Sequence, residues 1–329
     1  MTDGTARRRA LRVLAGLVIS IAFIAATIRG VNLSEVSTAL GRMEPMGVLL
    51  GVGFVGAELF LRALRWQFLL RPAARISLAR CVAYLTIGYF ANSMLPARLG
   101  DLARAHLAGK TFGIGRLAVL GTIVVERLAD GLFILAVVAV LGLSLAGGAT
   151  LASTALWLAV VATIGGAGLL VAIVYVRSSG GGAYRSRLRS LLERVFIGTA
   201  ALRSPAGFVR VAVLTATAFA AAVAMFALIA RAAGVDLSIA QCALAMGGLA
   251  LSTTIPAAPG SIGTYEFVGL TILVALGLSA ETALAIVVLV HIVATLPVAL
   301  AGLLAAWQLH FRISEIAADG EPALVGSDG

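Results

Sequence analysis

Two short stretches interrupt long apolar runs of this chain in the same way, and they limit its fold more than any other feature. The first is Pro96-Ala-Arg98-Leu-Gly100-Asp101-Leu-Ala-Arg104, and the second is Pro259-Gly260-Ser-Ile-Gly263-Thr-Tyr265-Glu266-Phe267. Each sets a proline four residues before a glycine. Upstream, Ser77-Leu-Ala-Arg-Cys81 parallels Ser238-Ile-Ala-Gln-Cys242, and one two-residue insertion brings both blocks into a single frame. Internal repetition dictates architecture before local propensity does. A Pro/Gly-interrupted apolar segment at matching places in two halves points to a binding site between transporter repeats.

The runs around these breaks belong in a bilayer. Of 329 residues 60% are hydrophobic and 12% charged, where soluble domains carry about a quarter charged. Crossing a hydrocarbon layer of ~30 Å takes roughly 20 helical residues. The runs are continuous rather than alternating, so helices are expected and a barrel is excluded. The net charge of +10 comes mostly from arginine. It is read as a topology signal and an attraction to anionic lipid, not as a nucleic-acid surface. Cys81 and Cys242 lie in apolar runs and are expected to be fillers, with no disulfide and no metal. Residues 11–28 follow Arg7, Arg8 and Arg9 but lack a small-residue cleavage pattern, so they are expected to remain as a first helix.

Arginine placement orders the crossings. Arg7, Arg8, Arg9 and Arg12 set the N-terminus in the cytoplasm, and 29–44, mixed in charge, is expected outside. A second helix starts near Pro45 and runs to about Leu70, with Arg62, Arg65, Arg71, Arg75 and Arg80 at its inner end. The run 78–95 has arginines on both sides and is expected to enter the membrane and return. Helices over about 117–143 and 151–176 follow, joined by the uncharged 144–150. Loop 177–210 is the most basic of the chain and is expected inside. A helix over about 209–230, a second re-entrant element over 239–277 and a last helix over about 282–307 complete the count. The expectation is an all-α polytopic membrane protein with six full transmembrane helices. Two re-entrant elements enter from opposite faces, as an inverted repeat requires. One domain covers 1–312, with repeat halves at about 45–143 and 206–307, and a polar tail at 313–329. Both termini are expected on the cytoplasmic side of a bacterial-type cytoplasmic membrane.

Charges inside such runs are costly, about 2.5–3.5 kcal/mol each at a helix centre, and mark function by default. Glu126 and Asp130 share a helix face, with Arg127 between them. Glu58, Arg62 and Arg65 form one stripe on the second helix. Arg98, Asp101 and Arg104 follow the first break, and Glu266 follows the second. A broken helix leaves free backbone amides near these charges, which suits an anionic group such as a phosphate. Arg62 or Arg98 is expected to reach the Glu126–Asp130 pair. His291 stands alone in the last helix and is expected to be packed or hydrogen-bonded. No nucleotide-binding loop, H-E-x-x-H or paired-histidine metal spacing occurs, so no cofactor and no enzymatic activity are expected.

Taken in order, Arg62-x-x-Arg65-Trp66, Pro96-x-Arg98-x-Gly100-Asp101, Glu126-Arg127-x-x-Asp130 and Pro259-Gly260-Ser-Ile-Gly263-x-x-Glu266 resemble the lysylphosphatidylglycerol synthase transmembrane (flippase-like) family. The resemblance covers about 9–312. Members include the membrane half of an enzyme that makes aminoacylated phosphatidylglycerol and moves it to the outer leaflet. Similar domains stand alone or beside glycosyltransferases acting on polyprenyl phosphates. Asp101 stands where many members have glutamate. A cytosolic aminoacyl-transfer domain is not expected after the last helix, so the resemblance implies lipid movement at most. The expected function is a translocase or scramblase for a phosphate-containing, anionic lipid. Arg62, Arg65, Arg98 and Arg104 would hold the phosphate, with Asp101 and Arg127 beside them. Glu126, Asp130 and Glu266 would meet a cationic headgroup or balance the arginines. The structural breaks would be Pro96, Gly100, Pro259, Gly260 and Gly263. Two alternatives stand beside this: a membrane partner of an enzyme making polyprenyl-linked glycans or modifying lipids, and a small-solute secondary transporter.

Overall fold

The computed structural model describes residues 3–94, 100–145, 200–255 and 258–309. Pro96, Arg98, the loop 144–150 beyond its first two residues, the expected helix 151–176, most of loop 177–210 and the tail lie outside the described residues. Among the described residues the chain is all-helical, with no strand. Ten α-helices follow one another: α1 Asp3–Ile28, α2 Leu33–Gly41, α3 Pro45–Leu70, α4 Leu78–Met94, α5 Gly100–Phe112, α6 Arg116–Leu145, α7 Pro205–Ala232, α8 Ile239–Ser252, α9 Thr264–Ala275 and α10 Ala280–Gln308.

Local chemistry explains the starts. Pro45 and Pro205 open α3 and α7, where a missing N–H costs nothing and φ is preset. Ser204, Ser238 and Ser279 cap α7, α8 and α10 by accepting backbone N–H groups, and Gln241 completes a capping box on α8. The interval 29–44, expected as a loop, contains α2. Asn32 caps it by accepting the Ser34 N–H, and Val36 is buried. α2 turns 83° from α1 and packs on α10. A nine-residue helix with a single buried side chain leaves too little apolar periodicity to be seen in sequence.

Three described helices, α3, α7 and α10, are long and apolar enough to cross a membrane, or four spans if α1 and α2 count as one bent pair. α3 and α7 lie side by side and run antiparallel, since Gly47 meets Ala232 and Gly51 meets Ile229 and Met225. α4 packs on α10, where Gly302 touches the Thr86 carbonyl, and α8 packs on α6, where Gly247 touches Val138. α4 and α5 form one helical hairpin, and α8 and α9 form another. One apolar core joins α7, α8, α9 and α10 with parts of α2, α3 and α6, and a second joins α3, α4, α5 and α6. Leu14, Ile21, Leu49, Val140, Val213, Leu304 and Trp307 are exposed, as side chains facing lipid would be.

Candidate functional site

Helix spacing sets which charges can share a face. On α3, Glu58, Arg62 and Arg65 recur one and two turns apart; on α6, Glu126 and Asp130 do the same; on α5, Asp101 and Arg104 are three apart. Tertiary packing then brings the three stripes together. α5 reaches α6 because its hairpin with α4 closes at two glycines. A Cβ on Gly100 would sit 1.8 Å from the Gly88 carbonyl oxygen, and one on Gly88 would sit 2.6 Å from the Arg104 stem. The Gly100 N–H donates to Asn92 Oδ1 at 2.8 Å, so the new helix starts on a side-chain acceptor from the old one.

The result is one ion network. Arg62 Nε donates to Glu58 at 2.8 Å, and its Nη1 donates to Asp130 at 2.9 Å. Arg65 grips both oxygens of Asp130, donates to the Thr215 hydroxyl on α7 at 2.6 Å, and lies 3.7 Å from Glu126. Arg104 donates to Glu126 at 2.8 Å and lies 3.7 Å from Asp101. Arg127 donates to Asp101 at 3.0 and 3.3 Å. The Arg104 guanidinium also stands 4.2 Å from the Trp66 ring centroid, and the Trp66 indole N–H donates to Thr122 at 3.1 Å.

Among the described residues four arginines meet four carboxylates in this network, so their charges balance. That balance is what a low-dielectric interior demands, because a buried charge without a partner carries its full desolvation cost. The members are not equally sheltered. The side chains of Arg65 and Arg104 are 1% exposed and Glu126 4%, while Asp130, Asp101, Glu58 and Arg62 lie between 15% and 20% and Arg127 reaches 35%. Arg65, Glu126 and Arg104 therefore form a sealed centre, and Arg62 and Arg127 carry positive charge to the rim.

Of the residues expected at the site, Arg62, Arg65, Asp101, Arg104, Glu126, Arg127 and Asp130 converge here, and Arg62 reaches Asp130 as expected. Arg98 lies outside the described residues. Glu266 is elsewhere, at the second break. There Gly260, Ser261 and Gly263 have φ of 74°, 58° and 92°, the left-handed region that a glycine enters without strain. Ala258 N–H donates to Ser20 of α1 at 2.8 Å, and Gly263 N–H donates to Glu266 Oε2 at 2.6 Å. Glu266 Oε1 also meets His291 Nδ1, and His291 Nε2 lies 3.0 Å from the Gly260 carbonyl oxygen. The Tyr265 ring stacks on His291 with centroids 4.2 Å apart. The buried Tyr265 hydroxyl has no hydrogen-bond partner among the described residues.

The sequence groups Glu266 with the arginines and carries no sign of its pairing with His291. A lone histidine in the middle of an apolar helix was the signal available, but the sequence does not say which element faces it. Nothing in the sequence marks Thr215, since a threonine in an apolar helix usually bonds its own backbone. Among the described residues no three His, Cys, Asp or Glu side chains are arranged to hold a metal ion.

None of the curated proteins matches the chain. The family described as lysylphosphatidylglycerol synthase TM region matches residues 13–302. The match spans α3 to α9 and nearly all of α10, the elements that build both the ion network and the second break. With its long apolar helices the chain is a multi-pass membrane protein, and it belongs to the lysylphosphatidylglycerol synthase transmembrane-region family.

Proposed function

We propose that this protein moves a phosphate-bearing lipid between the leaflets of the cytoplasmic membrane, without covalent chemistry on the lipid. The observation that carries the reading is the graded ion network. It keeps a strongly polar surface inside an apolar helix assembly, neutral in itself and sealed at its centre. Arg62 and Arg127 on its rim each share a carboxylate with a second arginine. A lipid phosphate approaching either rim arginine displaces a carboxylate that keeps another cation, Arg65 for Asp130 and Arg104 for Asp101. The headgroup is thus spared the cost of crossing hydrocarbon, and no carboxylate is stranded as long as Arg62 keeps Glu58 through its Nε.

The architecture belonging to this reading is an inverted repeat with two re-entrant hairpins. The halves match in order and length: 26, 17, 13 and 30 residues for α3 to α6, and 28, 14, 12 and 29 for α7 to α10. Their contacts match too, since α4 meets α10 as α8 meets α6, and the paired α3 and α7 are antiparallel. At 1.5 Å per residue the four hairpin helices are about 18–26 Å long, short of the ~30 Å hydrocarbon layer. Each hairpin would therefore dip into the membrane and return.

The test is reconstitution in vesicles of phosphatidylglycerol and phosphatidylcholine with labelled lipids. Wild-type protein should expose inner-leaflet labelled phosphatidylglycerol to an external quencher faster than protein-free vesicles do. Equal rates would end the reading. Labelled neutral diacylglycerol, lacking the phosphate, serves as the comparison substrate.

A further inference from the structure

We infer that Glu266 and His291 form a proton-binding site that clasps the second helix break, and that its proton is the coupling ion for lipid movement. The coupling rests on the lipid-moving function proposed above; the proton site itself rests on geometry alone.

Hydrogen-bond bookkeeping places the proton. His291 Nε2 faces the Gly260 carbonyl oxygen, which can only accept, and Nδ1 faces Glu266 Oε1. An ionised carboxylate also only accepts, and a neutral imidazole has a single N–H to offer. Both contacts are satisfied together in two ways. Either the ring carries protons on both nitrogens beside an ionised Glu266, or Glu266 carries a proton and donates it to Nδ1. In each case the pair holds one proton more than a carboxylate beside a neutral imidazole. Release leaves Glu266 ionised and His291 neutral, and the proton passes to water. Whichever ring nitrogen is then bare, a lone pair faces an oxygen lone pair.

That clash has somewhere to go. The carboxylate is fixed on its far side by the Gly263 N–H, so the yielding contact is at Gly260, whose φ of 74° allows other conformations. Losing the proton thus unfastens the turn Pro259–Ser261, which packs on α4, the element whose hairpin with α5 sets the position of Arg104. In this way protonation at the second break reaches the ion network at the first.

Among the described residues the surroundings leave the proton with this pair; α8, packed on α9, has no ionisable residue but Cys242. From α9 the titratable neighbour is Tyr265, and from α3 Glu58 lies within electrostatic reach of the Tyr265 hydroxyl. From α1 the break meets Ser20 and Ile24, neither ionisable. The last two turns of α4 contain Tyr89 and no charged residue. α7 has charges only near its ends, with Arg210 over the Phe68 ring and Arg231 near Asp236. In α2, Glu35 accepts from Asn32.

Two measurements test the inference. In nanodiscs, protein labelled with 15N-histidine and 13C-glutamate is examined by NMR from neutral pH down to about pH 5, and His291→Gln assigns one of the three histidines. The expected result is either a doubly protonated His291 ring or a protonated Glu266 carboxyl. A bare ring nitrogen beside an ionised Glu266 that persists down to about pH 5 overturns the proton site. In phosphatidylcholine vesicles, a trace of labelled phosphatidylglycerol is followed with and without a pH gradient. With one proton per lipid, a gradient of one pH unit drives up to about tenfold accumulation in one leaflet. Glu266→Gln and His291→Gln should show none, each variant being compared with itself at zero gradient. Accumulation by either variant equal to wild type overturns the coupling, as does wild-type movement that ignores the gradient. Wild-type protein that moves no lipid under either condition overturns the lipid function, and the NMR result then stands for the proton site by itself.

Discussion

Glu126 and Arg127 are neighbours in sequence with opposite duties. Glu126 is the anion of the sealed centre, bonded to Arg104 and close to Arg65. Glu126→Gln leaves two buried guanidiniums sharing one carboxylate fewer, and removing one partner of such a group costs about 3–5 kcal/mol. A large fall in the detergent unfolding midpoint is expected, with lipid movement lost through the fold; an unchanged midpoint would contradict the buried network. Arg127 sits at the rim, and its partner Asp101 keeps Arg104. Arg127→Gln should leave the midpoint near wild type while slowing labelled phosphatidylglycerol about tenfold to a hundredfold. That range corresponds to one charge-assisted hydrogen bond of about 1.5–3 kcal/mol. Wild-type rates in Arg127→Gln would remove this residue from lipid binding. The stripes behind both variants were legible in sequence, because helix spacing alone puts Glu126 over Asp130 and Glu58 over Arg62. Their partners were not, since Thr215 and Trp66 meet the arginines only after α7 and α5 have packed.

The α4–α5 hairpin turns separate charges into one network. Its closing contact is the approach of Gly100 to the Gly88 carbonyl, where a Cβ would lie at 1.8 Å. Backbone cannot yield as a flexible side chain can, and overpacking costs about 1–3 kcal/mol or more. Gly100→Ala should therefore lower the unfolding midpoint and slow lipid movement together. Gly56→Ala on α3, with open space around its Cβ, is the control and should leave both unchanged or raise stability slightly. Equal behaviour of the two variants would mean the hairpin is looser than its geometry requires. At this scale the second break is legible in sequence, where Pro259, Gly260 and Gly263 punctuate the chain, while of the first only Gly100 lies among the described residues. It did not reveal α2, whose cap and single buried valine become visible only once α10 lies beneath them.

Across the whole molecule, the inverted repeat proposed above implies a definite sidedness. The turn after α3 should face the cytoplasm and the turn after α7 the opposite side. Cys81 and Cys242 are buried, so a single introduced cysteine can be followed in cells. Asp236→Cys should react with an impermeant maleimide added outside, and Ala73→Cys only after the membrane is opened. The reverse pattern would invert the topology, and labelling of both from outside would end the opposed-halves arrangement. The amino-acid sequence by itself determined the class, the existence of long helices over about 45–70, 209–230 and 282–307, and the faces on which charges gather. Those properties follow from composition, from proline and from a period of 3.6, all local along the chain. Only the tertiary structure decided that Arg65 closes on Asp130 rather than Glu126, and that Glu266 leaves the arginines for His291. Spacing orients a side chain about its own helix axis, but a partner on another element is chosen by how close two backbones can come, which here depends on glycines such as Gly88 and Gly100.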